Sequence, residues 1–234
     1  MLRLLDENLW VAEQPLRYMG LMVGTRMTLI RLQEGELAVI SPIRIDKATD
    51  AEIRSVGRVA HIIIPNLYHS LNAASCKARY PKAVLWAVPG LQAKRPDLVI
   101  DQTIDTVTCP WPGLQPLFFN GFRTLGFNGF DILNECVFLH GASRTLILTD
   151  TAFHFDESFP ALTRLTMGII GGYKRLQPSL LEKVASERET VRRSIEQVLG
   201  WDFDRVIMAH GSVIESQGKE RLRKGYEQFL GQPL

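Results

Sequence analysis

The chain has 234 residues, 46% hydrophobic and 22% charged, with a formal net charge of +2, which suits a soluble protein with a sizeable core and lacks the basic stripe of a dedicated nucleic-acid binder. Its three cysteines, Cys76, Cys109 and Cys136, are widely spaced and form no CxxC pair, which excludes a disulfide framework and a zinc knuckle. No apolar stretch reaches the ~20 residues of a membrane span, and Met1–Asp6 meets an acid too soon for a signal peptide, so the expectation is one cytoplasmic domain over 1–234 with no membrane partner.

In chain order, Leu9–Ala12 and Met27–Leu32 read as strands, and Glu34-Gly35-Glu36 turns the second into Leu37–Ile40 as a hairpin. Thr49–Ile53 opens a short helix with Thr49 or Asp50 as N-cap. Val59–Pro65 is a buried strand containing His61 as a core residue. Ser70–Tyr80 is a helix stopped by Pro81, and Ala83–Val88 is the next strand. Strand, helix and strand of this size form a βαβ unit, so the two strands should run parallel.

From Val107 to Asp150, prolines and glycines separate short β-prone runs. Phe118-Phe119, Asp131–His140 and Thr145–Thr149 read as strands of a mainly antiparallel second sheet. Ser179–Val184 and Arg188–Leu199 have helical spacing, Arg205–Ala209 is a strand and Lys219–Leu230 a last amphipathic helix. The stretch from Phe159 to Lys174 is apolar enough for a lid or a partner-binding patch. Gly171-Gly172-Tyr173 lacks the setting and the following Lys-Ser/Thr of a phosphate loop.

Three apolar runs end in potential metal ligands. Val206–Ala209 leads to His210-Gly211, Thr145–Thr149 to Asp150, and Val59–Pro65 to Asn66 and His69. An imidazole at the mouth of a buried strand is a frequent design for a metal or catalytic site, and so is a glycine that admits close approach. Strand ends gathered on one sheet edge would bring these side chains together.

This order of hairpin, Ile40-Ser41-Pro42 exit and three ligand-bearing strand ends resembles the metallo-β-lactamase fold superfamily over nearly the whole chain. The resemblance implies an α/β, four-layer αββα sandwich. The family's His-x-His-x-Asp-His signature is depleted here to Ile64-Pro65-Asn66-Leu67-Tyr68-His69. Placing Asn66 at the first His leaves Tyr68, Ser70 and Leu71 at the remaining positions. Placing His69 at the last leaves Ile64, Asn66 and Tyr68, with a following helix of similar length to the family's, and is the preferred register. His69, Asp150 and His210 then match the family's second metal site. The first site has lost its ligands, with Asp131 or Glu135 as candidates to stand in for a loop His.

The resemblance implies one divalent metal, zinc first and iron or manganese also suited by the carboxylate. It implies a hydrolase of a small ester, thioester, lactone or phosphoester, with Asp150 and His210 catalytic and Asn66 or Tyr68 contacting substrate; by their positions on and after the neighbouring strands, His140 and His154 are further candidate substrate contacts. The rival reading is a pseudoenzyme or binding protein that kept the fold and lost the metal. The expected partner is a small-molecule substrate, with a homodimer left open.

Overall fold

A computed structural model of the chain describes residues 1–107, 109–126 and 129–234. It begins with β1 (Leu2–Asp6) and β2 (Leu9–Gln14), a small hairpin of β3 (Arg17–Tyr18) and β4 (Leu21–Met22), then β5 (Thr25–Arg31) and β6 (Glu36–Ile40). Helix α1 (Lys47–Val56), β7 (Arg58–Ile64), α2 (Ala73–Arg79), β8 (Val84–Ala87), α3 (Leu91–Lys94) and β9 (Gln102–Thr103) follow. The first sheet has the order β1-β2-β5-β6-β7-β8-β9. The expected hairpin is present as antiparallel β5 and β6, and β7 and β8 pair in parallel.

The second sheet is built from β10 (Leu114–Phe119), β13 (Glu135–His140), β14 (Thr145–Ile147) and β15 (Arg205–Ile207), in that order. Between its first two strands stands a separate hairpin of β11 (Arg123–Gly126) and β12 (Gly129–Ile132). Helices α4 (Ala161–Ile170), α5 (Arg188–Leu199) and α6 (Gly218–Leu230) complete the chain.

Burial follows the pattern of side chains. Leu9, Val11, Ile30, Ile40 and Ile63 of the first sheet meet Leu114, Phe138, Ile147 and Ile207 of the second in one buried cluster. The outer face of the first sheet packs Leu29, Ile62, Ile64 and Leu85 against Ile53 of α1 and Cys76 of α2. The outer face of the second packs Val137, Leu146 and Val206 against Val191, Ile195 and Val198 of α5 and Leu222 and Tyr226 of α6. Helix, sheet, sheet and helix are the four layers that the resemblance implied, and strands buried on both faces explain the near-continuous apolar run of β7.

Some local readings change. Helix α1 starts two residues earlier than expected, because the Asp46 carboxylate accepts from the Thr49 amide at 2.8 Å, so Asp46 rather than Thr49 or Asp50 is the N-cap. The expected strand Asp131–His140 is broken, since Asn134 takes a left-handed φ of 47° and separates β12 from β13. His61 is half-buried rather than fully in the core and accepts from Trp86 Nε1 at 3.1 Å.

Candidate metal centre

Strand direction assembles the site. The parallel pair β6 and β7 ends at Ile40 and Ile64, delivering Ser41 and the loop with Asn66 and His69. The parallel pair β14 and β15 ends at Ile147 and Ile207, delivering Asp150 and His210. Two antiparallel neighbours, β5 and β13, begin at this same edge and place Gly24 and Glu135 there.

His69, Asp150 and His210 each turn one ligand atom inward, and these atoms lie within 4.8 Å of one another. His69 Nε2 stands 3.1 Å from Asp150 Oδ2, and His210 Nε2 stands 3.5 Å from Asp150 Oδ1. All three side chains keep a small exposed fraction, between 10% and 16%, so solvent reaches the centre.

Each imidazole is aimed by its other nitrogen. His210 Nδ1 lies 2.6 Å from the Gly24 carbonyl. A carbonyl carries no proton, so Nδ1 donates and Nε2 is left to face Asp150. His69 Nδ1 pairs with Ser41 Oγ at 2.7 Å, and Ser41 is buried with a left-handed φ of 54° that turns its hydroxyl into place. Fixing a ring from its far nitrogen is the usual support of a metal-binding histidine.

The carboxylate is held from behind. Asn66, fully buried, donates from Nδ2 to Asp150 Oδ2 at 2.7 Å and to Thr149 Oγ1 at 2.9 Å, and approaches Glu135 Oε2 at 3.3 Å. Its Oδ1 accepts from the amides of Tyr68 and His69. Glu135, also fully buried, accepts from the Thr149 and Asp150 amides at 2.8 and 2.7 Å and from the Thr151 hydroxyl at 2.9 Å.

Electrostatics follow from that packing. Burial raises Asp150, but the His69 charge and hydrogen bond, His210 and Asn66 outweigh it and hold the carboxyl far below the usual range. Burial lowers His69, and the Asp150 charge overcomes this to leave it above its ordinary value. His210 stays below its ordinary value, because burial and the His69 charge exceed the pull of Asp150. Burial and the Asp150 charge push Glu135 up against the amide bonds that lower it.

The remaining sequence-predicted residues are placed differently. Asn66 has its donors and acceptor spent inside the protein, so it supports Asp150 instead of contacting substrate. Glu135 likewise has both oxygens occupied and offers no ligand to a second ion. Tyr68 is partly buried, its hydroxyl 3.2 Å from Asp131 Oδ2 and Lys94 Nζ 3.3 Å from its ring centroid. His140 sits at the wrong end of β13. Because β13 runs antiparallel to β14, five residues carry the chain about 16 Å from Glu135 to His140, where Nδ1 pairs with Ser143 Oγ. His154 lies beyond Gly211, its Nε2 3.1 Å from Arg221 in a cleft shared with Asp156, Ser158 and Lys174 and separate from the trio.

Gly211 has a reason to be glycine. Its φ is +80°, and a Cβ there would lie 2.1 Å from the His154 carbonyl oxygen. Arg26 is a support that sequence reasoning missed. Buried, it donates to the carbonyls of Met208 and Gly211 on either side of His210 and to Glu13 Oε1 at 2.8 Å. No local signal marked it, since β5 also carries Arg31, Thr25 and Thr28.

The donor set fits a cation. With Nδ1–H committed to Gly24, a neutral His210 points its Nε2 lone pair at a carboxylate oxygen 3.5 Å away. Two acceptors facing one another, with the second imidazole of His69 beside them, suit a divalent ion in a three-ligand, open shell.

Comparison with known proteins supports the fold. The chain is 12% identical to the metallo-β-lactamase from Pontibacter korlensis, with a TM-score of 0.66 over 99% of this chain and 97% of that one. For the metallo-β-lactamase from Hirschia baltica the values are 13%, 0.64, 100% and 98%. For the metallo-β-lactamase FIM-1 from Pseudomonas aeruginosa in a mono-zinc form they are 9%, 0.62, 98% and 96%. The fold is therefore the metallo-β-lactamase fold. A search of curated protein sequences finds no match. Residues 6–175 match a protein family described as "Domain of unknown function (DUF4336)".

Proposed function

From the premise that the chain belongs to the DUF4336 family, we propose that it is a hydrolase of a small ester, thioester, lactone or phosphoester that uses a single divalent metal. The observation that carries this reading is the convergence of His69 Nε2, His210 Nε2 and an Asp150 carboxylate oxygen within 4.8 Å at a strand edge open to solvent.

His69 and His210 would hold the ion through Nε2, and Asp150 through its carboxylate. Zinc suits this set, and iron or manganese is also compatible. Such an ion supplies Lewis acidity and brings the ionisation of water near neutral pH. The protein's own part is orientation. Gly24 and Ser41 aim the two rings, while Asn66 and Glu135 fix Asp150 so that its carboxylate can ligate the ion and orient the attacking water. Tyr68, kept protonated by burial and by Asp131, spends its hydroxyl hydrogen on Asp131 Oδ2 and is the proposed substrate contact through the oxygen's remaining lone pair.

One ion is proposed because the other half of the cradle is closed. Ile64 is apolar, and Asn66 and Glu135 are consumed by hydrogen bonds. The same observation favours the second reading, a pseudoenzyme or binding protein. Elemental analysis together with turnover of ester, thioester, lactone and phosphodiester probes separates the two. The hydrolase reading requires about one metal per chain and turnover that Asp150→Ala abolishes; metal-loaded protein with no turnover on any probe leaves the binding protein.

A further inference from the structure

The apolar stretch after the Asp150 strand folds into α4, which buries little of itself. Leu162, Leu165 and Ile169, spaced three and four apart on one side of the helix, are 62%, 65% and 70% exposed. The Leu180 amide donates to the Ile170 carbonyl at 2.6 Å, which sets exposed Leu181 beside the end of α4. Thr163 Oγ1 donates to the Met22 carbonyl at 3.1 Å, which seats α4 on the β3–β4 hairpin, where Tyr18 and Met19 are exposed as well. Two segments distant in sequence thus present large apolar side chains from one packed unit, more than scattered surface residues require.

Charge identifies what would cover them. Residues 14–25 and 158–181 contain no Asp or Glu, and they carry Arg17, Arg164, Lys174 and Arg175. Lys174 is paired with Glu157 at 2.6 Å and Arg175 donates to Gln228 Oε1 at 2.8 Å, while both Arg17 and Arg175 are exposed and make no ion pair among the described residues. An apolar helix face with a net basic rim, its exposed acid Glu157 paired with Lys174, is the pattern of a helix that lies in the interface of an anionic bilayer. Among the described residues no helix is long and apolar enough to cross a membrane. A helix of this length could lie on a membrane surface and could not span it.

We infer that the α4 face, with the tip of the β3–β4 hairpin, docks the protein on an anionic lipid surface. The apolar side chains enter the headgroup boundary and the arginines face lipid phosphates and carboxylates. The full-length protein is tested by co-sedimentation with phosphatidylcholine vesicles, pure or containing about one-third phosphatidylserine. Binding is expected only to the anionic vesicles, weakening as salt shortens the screening length to about 3 Å near 1 M. L165D/I169D should abolish binding with an unchanged melting temperature, since both side chains are exposed. R17Q/R175Q should lower partitioning about 25-fold, at roughly fivefold for each basic residue. Equal binding to neutral vesicles, or none to either, overturns the inference. So does a wild-type dimer that L165D/I169D converts to monomer without any vesicle binding, because the face would then belong to a second copy of this chain.

Discussion

Asn66 Nδ2 donates to Asp150 Oδ2 at 2.7 Å from a position with no solvent exposure, tying the loop after β7 to the loop after β14. The bond joins the two sheets directly at the candidate metal centre. It also explains how the Asp150 carboxylate is kept in place beside only two imidazoles, His69 and His210.

Asn66→Ala should therefore be costly. It leaves Asp150, Thr149 and the Tyr68 and His69 amides short of partners in a buried setting. At about 1–3 kcal/mol for a buried group left unpaired, a loss of at least about 3 kcal/mol is expected in urea unfolding. A change below about 1 kcal/mol would mean that water replaces the amide and that the network is not a support.

Arg26→Ala should loosen His210 without touching the metal. The variant frees the carbonyls of Met208 and Gly211 that the guanidinium holds. Zinc affinity, read by chelator competition, is expected to fall about 10–100-fold, the usual effect of losing an outer support. Arg26→Lys should not rescue it, since an ammonium cannot span both carbonyls as a fork.

His140→Phe should leave metal content and affinity unchanged. The ring lies at the far end of β13 and pairs with Ser143. Any loss of bound metal in this variant would contradict the strand direction on which the site is built.

Glu182 offers a pH test away from the ligands. It is buried, Oε2 has no hydrogen-bond partner among the described residues, and burial with the charges of Asp150 and Glu135 pushes its carboxyl well above the usual range. A folded-state value above the unfolded one means stability that is complete below roughly pH 4 and is lost as pH rises through the folded value. Glu182→Gln removes that loss. Melting temperatures of variant and wild type should coincide near pH 4 and diverge in favour of the variant toward neutral pH; a constant difference across that range would show that Glu182 is not strained by ionisation.

Much of this was legible in the sequence, and the reasons are specific. Val59–Pro65, Thr145–Thr149 and Val206–Ala209 are largely apolar runs, so the polar residues that follow each one emerge at a sheet edge. That reasoning reaches His69, Asp150 and His210 with no knowledge of pairing. Strand direction is a property of pairing, however, and His140 was therefore misplaced. Asn134 interrupts a run that alternation alone extends from Asp131 to His140, because Asn tolerates a left-handed backbone. Ser41, Gly24 and Arg26 act across 28, 186 and 182 or more residues of sequence, and no local pattern carries contacts of that range. Glu135 could be seen as a candidate ligand. Only the folded chain shows both its oxygens spent on the Asp150 loop.

The most direct test of the metal centre is thermal unfolding of the zinc-loaded protein with and without a chelator, on the wild type and on His210→Ala. Metal that binds only the folded state stabilises it by about 2.7 kcal/mol when free metal is 100 times its dissociation constant. For a chain of this size that corresponds to roughly 5–10 °C. Chelation is expected to lower the wild-type melting temperature by that amount and to leave His210→Ala unmoved. Superimposable wild-type curves, with His210→Ala destabilised by about 1–3 kcal/mol for the partner left unpaired, would contradict the account and make His210 a hydrogen-bonded strand-end residue.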